Sequence, residues 1–188
     1  MTKLALLGGS PVIEGNLSAY ASMGEAEEAA VLEVIRSGCL SGFFGSPGPE
    51  FLGGPKVRAF EDAWKERYSV GHAVSVNSAT SGLFAAMGAI GVGPGDEVIL
   101  PAWTMSATAM APLIYGGIPV FADIDDKSFC LDLEQVRTNI TTKTRAILAV
   151  NLFGHPAQLA ELRRIADEHG LYLVEDNAQA PLAEENGR

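Results

Sequence analysis

The sequence predicts an α/β fold: a mostly parallel sheet flanked by helices. Two patterns carry that reading. Short apolar runs bounded by polar turns recur through the second half of the chain, as buried strands of a parallel sheet do. Between them lie segments with helical spacing of apolar residues, and this alternation is the signature of parallel α/β architecture. The composition, 47% hydrophobic and 19% charged over 188 residues, supplies enough apolar side chains for one sizeable core.

Residues 1–23 are mixed and punctuated by Gly and Pro, and read as an extended arm. From Gly24 to Ser37 the pattern turns helical, with Val31, Val34 and Ile35 on one face and Gly38 as terminator. Residues 38–55 form a long Gly/Pro loop carrying Phe43, Phe44, Phe51 and Leu52. Loops of that length in compact domains are usually functional or mobile. A helix follows with Pro55 in its first turn and Val57, Phe60 and Trp64 on one stripe. Strands and helices then alternate. His72–Val76 is expected as a strand and Ser78–Ile90 as a helix with Leu83, Met87 and Ile90 inward. Glu97–Leu100 is a strand, Thr104–Tyr115 a helix, Ile118–Ala122 a strand, Asp132–Asn139 a short helix and Arg145–Val150 a strand. Pro156–His169 is a helix with Leu159, Leu162, Ile165 and Ala166 in register, closed by Gly170, and Leu171–Val174 is the last strand. The domain organisation expected is an arm, 1–23, and one α/β domain, 24–188.

The charge balance excludes some partners. A net charge of −10 and a pI near 4.7 argue against a nucleic-acid backbone or an anionic membrane surface. They leave room for a phosphorylated small ligand, which backbone N–H groups bind regardless of net charge. Cys39 and Cys130 are isolated, as in a reduced, cytoplasmic protein, and no metal-ligand spacing is visible. No apolar run approaches a membrane span.

Three places offer chemistry. Val76-Asn77-Ser78-Ala79-Thr80-Ser81-Gly82 stands where a strand end opens a helix, and its small residues and free N–H groups suit an anion. Ser78 is equally a plain N-cap. Pro101-Ala102-Trp103-Thr104-Met105 also follows a strand, and Trp103 or Met105 there can cover a flat ring or simply fill the core. The third is Asp176 with Gln179, beyond the last strand. Ligands of open α/β sheets sit beyond the carboxyl ends of the strands, and a buried carboxylate needs a cationic or hydrogen-bonding partner. A protonated pyridine nitrogen is such a partner, and a turn-capping role is the bland alternative. His155 reads as a helix-entry residue, and His72 and His169 as structural. Neither a nucleophile elbow nor a Walker loop is present.

Together these segments resemble the sugar-nucleotide aminotransferases of the DegT/StrS type, vitamin B6 enzymes with the aspartate-aminotransferase fold. Short matches run in order along nearly the whole chain. They include Gly71 to Ser81, Gly91-Val92-Gly93-Pro94-Gly95-Asp96-Glu97-Val98, Pro101 to Ala109, Asn151-Leu152-Phe153-Gly154-His155-Pro156-Ala157 and Val174-Glu175-Asp176-Asn177-Ala178-Gln179-Ala180.

The resemblance implies pyridoxal 5'-phosphate as cofactor. Ala79 and Thr80, beside Ser78, match the backbone positions that hold its phosphate. Asp176 matches the aspartate that pairs with the pyridinium nitrogen, and Gln179 a residue close to the cofactor. Met105 stands where the family usually has an aromatic ring over the pyridine face. The implied reaction moves an amino group, typically from glutamate, to a keto carbon of a nucleotide-linked sugar or cyclitol, in a homodimer. The family's Schiff-base lysine follows the aspartate motif, whereas the last lysine here is Lys143, so the resemblance implies a large domain incomplete at its C-terminus and without turnover alone. A dehydratase of the same family, with histidine for that lysine, is the first alternative. A non-catalytic cofactor- or partner-binding fragment is the second. A nucleotide-binding α/β domain is disfavoured because no Gly-x-Gly-x-x-Gly follows a strand.

Overall fold

A computed structural model describes residues 3–13, 15, 16 and 19–187. The chain forms two compact units, Met1–Ser75 and Val76–Arg188. Of the arm expected over 1–23, residues 1, 2, 14, 17 and 18 lie outside the described residues, and a short 3-10 turn occupies Ala5–Leu7.

The first unit holds α1 (Glu25–Ser37) and α2 (Pro55–Tyr68). The Glu27 carboxylate accepts the Gly24 N–H at 2.8 Å, so the orphan donor before the first turn is satisfied by the N3 side chain. Pro55 opens α2, where its missing N–H costs nothing. The loop between them folds back on itself: the Phe43 N–H donates to the Glu50 carbonyl at 2.8 Å and the Gly54 N–H to the Ser41 carbonyl at 2.7 Å. Gly54 permits this closeness, since a Cβ there would stand 2.9 Å from the Cys39 sulfur. Neither helix has a buried residue.

The second unit is a parallel four-stranded sheet with order β2-β1-β3-β4, from β1 (Glu97–Pro101), β2 (Ile118–Ala122), β3 (Thr144–Val150) and β4 (Tyr172–Asp176). Between the strands run α4 (Ser106–Leu113), α5 (Leu133–Asn139) and α6 (Leu159–His169), and α3 (Ala79–Ala89) precedes them. Side chains of a strand alternate between faces, and two cores result. Val98, Leu100, Ala146, Leu148 and Val174 meet Leu83 and Met87 of α3 and Ala111 of α4. Ile99, Ile147, Ala149, Val120 and Leu173 meet Val136 of α5 and Leu162, Ile165 and Ala166 of α6. Each large side chain fully removed from water here contributes about 1.5–3 kcal/mol before entropy is counted.

This order has a functional consequence. The chain leaves β1 for β2 on one side, then returns to place β3 on the other. The loop after β1 therefore leads to α4 on one face, and the loop after β3 leads to α6 on the opposite face. Such a switch point opens a crevice at the carboxyl ends of the two strands.

Several expectations need correction. His72–Val76 is not a strand. The Ser75 N–H and hydroxyl both go to the Glu61 carboxylate, at 2.7 and 2.8 Å, so a side chain takes the bond that a ladder would need. The helix expected from Pro156 begins at Leu159, because the Ala157 N–H is captured by the Asn151 side chain at 2.8 Å. The helix expected over Thr104–Tyr115 spans only Ser106–Leu113, and the left-handed Gly116 at φ 77° turns the chain toward β2. The last strand runs on through Asp176, which pairs in register with Val150.

Candidate functional site

Asp176 is the final residue of β4 and only 8% exposed. Alternation from Val174 puts its side chain on the face covered by α3 and α4. There the Thr108 hydroxyl of α4, itself fully buried, donates to Asp176 Oδ2 at 3.3 Å. Asp176 Oδ1 accepts the Ala178 N–H at 3.1 Å, an Asx turn that reverses the chain after the strand. The turn-capping role is thus real, yet it uses one oxygen only. A carboxylate offers about four acceptor positions, and two protein donors reach this one.

The loops after β3 and β4 are fastened together. Asn151, 2% exposed, gives its backbone N–H to the Asp176 carbonyl at 3.0 Å. Its side-chain amide donates to Glu175 at 2.6 Å and Asn177 at 3.0 Å, while its side-chain oxygen takes the Ala157 N–H. Gln179 completes the fastening by accepting the Phe153 N–H at 2.9 Å through its side-chain oxygen. Its NH2 group is left as the available donor. Sequence reasoning missed Asn151 because a single Asn after a strand looks like any turn residue. The signal is its place directly after the apolar run Ala146–Val150 that ends β3, where a polar side chain is buried and must be saturated.

At the start of α3, Ser78 is the N-cap with extended backbone, and its hydroxyl oxygen accepts the Ser81 N–H at 3.2 Å. Ser81 in turn donates to Asn77 at 2.6 Å. The capping role expected as the plain alternative is therefore present. It leaves the N–H groups of Ala79 and Thr80 with no acceptor inside the helix. Ser78 and Ala79 are exposed and Thr80 half-buried, and the helix they open packs on the Asp176 face.

Met105 and Trp103 are not core fillers: they are 65% and 55% exposed. Met105 is the residue before α4, with extended backbone. Trp103, Ala102, Thr104, Asp123 and Ile124 line an open cleft of about 470 Å³ beyond β1 and β2. Trp103 meets Phe129 edge-on at 5.5 Å, and Phe129 meets Phe153 at 6.0 Å, so an aromatic run crosses this end of the sheet. Asp125, next to the cleft, is held below the ordinary aspartate pKa, chiefly by the backbone N–H of Ser128 and then by its hydroxyl. That carboxylate is committed to its own turn.

His155 closes a 3-10 turn rather than entering the helix, with Nδ1 2.8 Å from the Pro156 carbonyl oxygen. His169 is exposed in the last turn of α6. Lys143 directly precedes β3, at the opposite end of the strands from Asp176. Among the described residues no three His, Cys, Asp or Glu side chains are grouped to hold a metal, and no helix is long and apolar enough to cross a membrane.

A buried carboxylate with open lone pairs, first-turn amides on the same face and an exposed thioether nearby form a donor set that fits a phosphorylated, flat, cationic heterocycle. The class these features fit is that of the pyridoxal-phosphate enzymes. The chain belongs to the DegT/DnrJ/EryC1/StrS aminotransferase family, which residues 23–188 match and whose members depend on that cofactor.

Over 171 residues it is 39% identical to the dTDP-3-amino-3,4,6-trideoxy-alpha-D-glucose transaminase of Streptomyces venezuelae, covering 91% of this chain and 42% of that protein. It is 37% identical to the L-glutamine:2-deoxy-scyllo-inosose aminotransferase of Streptomyces kanamyceticus, covering 99% of this chain and 43% of that one. The chain thus spans about two fifths of the length of these relatives. Among solved structures, NtdA of Bacillus subtilis with bound PMP superposes at TM-score 0.74, with 31% identity, 83% of this chain and 33% of that one. A GDP-4-keto-6-deoxymannose-3-dehydratase with a trapped PLP-glutamate geminal diamine gives TM-score 0.79 at 27% identity, with 90% and 43% covered. The expected family, α/β fold and cofactor are borne out by these matches.

Proposed function

We propose that this chain is the cofactor-seating part of a pyridoxal-phosphate aminotransferase. The whole enzyme would move an amino group, from glutamate or glutamine, to a keto carbon of a nucleotide-linked sugar or a cyclitol. The observation that carries the reading is Asp176, a carboxylate 8% exposed at the carboxyl end of β4. When bound, the cofactor supplies an electron sink for the carbanion formed as the amino group moves. Asp176 would hold the proton on the ring nitrogen by charge. Ala79 and Thr80 would offer their N–H groups, with the Ser78 hydroxyl, to the phosphate. Met105 would lie against the ring face, and the free NH2 of Gln179 would donate from beside it.

Residues 24–188 act in this reading as the large domain, with 1–23 as an arm. The 188 residues alone would seat the cofactor without turnover, since every lysine precedes the aspartate motif. The enzyme would work as a cytoplasmic homodimer. The exposed Phe43, Phe44, Phe51 and Leu52 supply an apolar patch of the kind that a partner covers. The likeness to the dehydratase keeps dehydration of a keto sugar nucleotide as the second reading.

Equilibrium dialysis of pyridoxal phosphate against the chain and its Asp176→Asn variant is the test. Asn fills the same space but cannot hold the proton by charge. Loss of one charge-assisted hydrogen bond, about 1.5–3 kcal/mol, corresponds to weakening on the order of 10- to 150-fold. Equal affinity in the two proteins removes Asp176 from the site.

A further inference from the structure

We infer that Thr108 is a positioning residue that aims the Asp176 carboxylate, and that Thr104 sets the direction of its hydroxyl. The proposal rests on the cofactor reading of Asp176 and goes one shell further out.

The polarity of the arrangement follows from proton counting. Thr108 is fully buried, and its hydroxyl carries a single proton. A carboxylate only accepts, so that proton points at Asp176 Oδ2, 3.3 Å away. Thr104 and Thr108 are one helical turn apart in sequence, and their hydroxyl oxygens are 2.8 Å apart. With the Thr108 proton already committed, Thr104 must be the donor of that pair. The result is a one-way chain, Thr104 to Thr108 to Asp176, that starts at a residue lining the cleft and ends on the buried carboxylate. Thr108 fixes Oδ2 and the Ala178 N–H fixes Oδ1, so the carboxylate plane is held from both sides. Its remaining lone pairs then face a direction set by the protein before any ligand arrives, which spares the cost of ordering it on binding.

At 3.3 Å the Thr108 bond is longer than the usual 2.7–2.8 Å between hydroxyl and acceptor oxygens. Its removal should therefore cost less than removal of the charge itself. The expected loss in cofactor affinity is about 3- to 10-fold, against the larger loss for Asp176→Asn.

Two measurements separate aiming from plain packing. The first needs no cofactor: three-bond couplings from the Asp176 side-chain carboxyl carbon to its backbone report whether the side chain holds one rotamer. Wild type and Thr108→Ser, which keeps the hydroxyl, should show a single rotamer. Thr108→Val, which keeps the shape, should show averaging, and Thr108→Ala takes its place if the valine variant fails to fold. Unchanged couplings on loss of the hydroxyl, or averaging in the serine variant as large as in the valine one, overturn the inference. The second uses pyridoxal phosphate labelled with nitrogen-15 in the ring. Its shift should read protonated in wild type and Thr108→Ser and move toward neutral in Thr108→Val. If Asp176→Asn leaves that shift unchanged, the cofactor reading of Asp176 falls, while the couplings still decide the role of Thr108.

Discussion

The two units of the chain are written with the same helical rule and finish differently. α1 and α2 carry apolar stripes, yet Val31 and Ile35 remain 57% and 61% exposed, and Phe60 and Trp64 55% and 41%. In the second unit, α6 shows the same spacing, and Leu162, Ile165 and Ala166 are fully buried. The difference is not capping, since the exposed α1 has the Glu27 return bond to the Gly24 N–H, whereas the covered α6 starts after Gln158 with no side-chain cap. It is that α6 lies on a sheet face whose own side chains are apolar. A stripe states that a helix expects cover, and only the neighbouring surface decides whether it is covered. The stabilising burial, and the buried carboxylate that needs it, are therefore both found in Val76–Arg188.

The largest expected effect tests this contrast directly. Leu148→Ala, in the middle of β3 and fully buried, should cost about 2–5 kcal/mol. Phe60→Ala, on the open stripe of α2, should change stability by about 1 kcal/mol or less in dilute protein. Urea unfolding followed by circular dichroism compares the two. Similar losses would mean that the α2 stripe is covered in solution.

A smaller effect is expected from Asn151→Ala. It strips the Ala157 N–H of its acceptor and leaves Glu175 and Asn177 without their shared donor, for roughly 1–3 kcal/mol. Hydrogen exchange should accelerate at Ala157 and Asn177 while the β1 amides stay protected. Uniform acceleration across the sheet would instead mark Asn151 as a general core residue.

How much of this was legible in the sequence depends on where the determining partner sits. Strands β1, β2 and β3 were readable because each is a local apolar run bounded by turns. The Ser78 cap was readable because the capped N–H lies three residues on. The absent strand at His72–Val76 was not, because Glu61, which takes the Ser75 N–H, lies 14 residues away. The contact of Thr108 with Asp176 spans 68 residues, and no local pattern announces it. Asp176 itself was legible by place, after a strand, and by family motif, but not its double support by Thr108 and Ala178.

The smallest effect concerns pH. Asp125 has a lowered carboxyl pKa in the folded chain because Ser128 donates to it. The turn it closes is thus stabilised above the unfolded aspartate value of about 3.9, and the contribution fades as pH falls through the lower folded value. The Ser128 amide resonance should move in that acid window and stay constant from there to neutrality. An Asp125 carboxyl titrating at the unfolded value would mean that Ser128 does not hold it in solution.

We propose that the cofactor is seated at the carboxyl ends of the strands in the second unit. Chemical-shift mapping of the labelled chain with pyridoxal phosphate tests it most directly. The claim predicts the largest changes at the Ala79 and Thr80 amides, at Met105 and at Asp176 to Gln179, with α1, α2 and Lys143 unmoved. Changes centred on Lys143 or on the helices of the first unit, with Ala79, Thr80 and Asp176 silent, would contradict it.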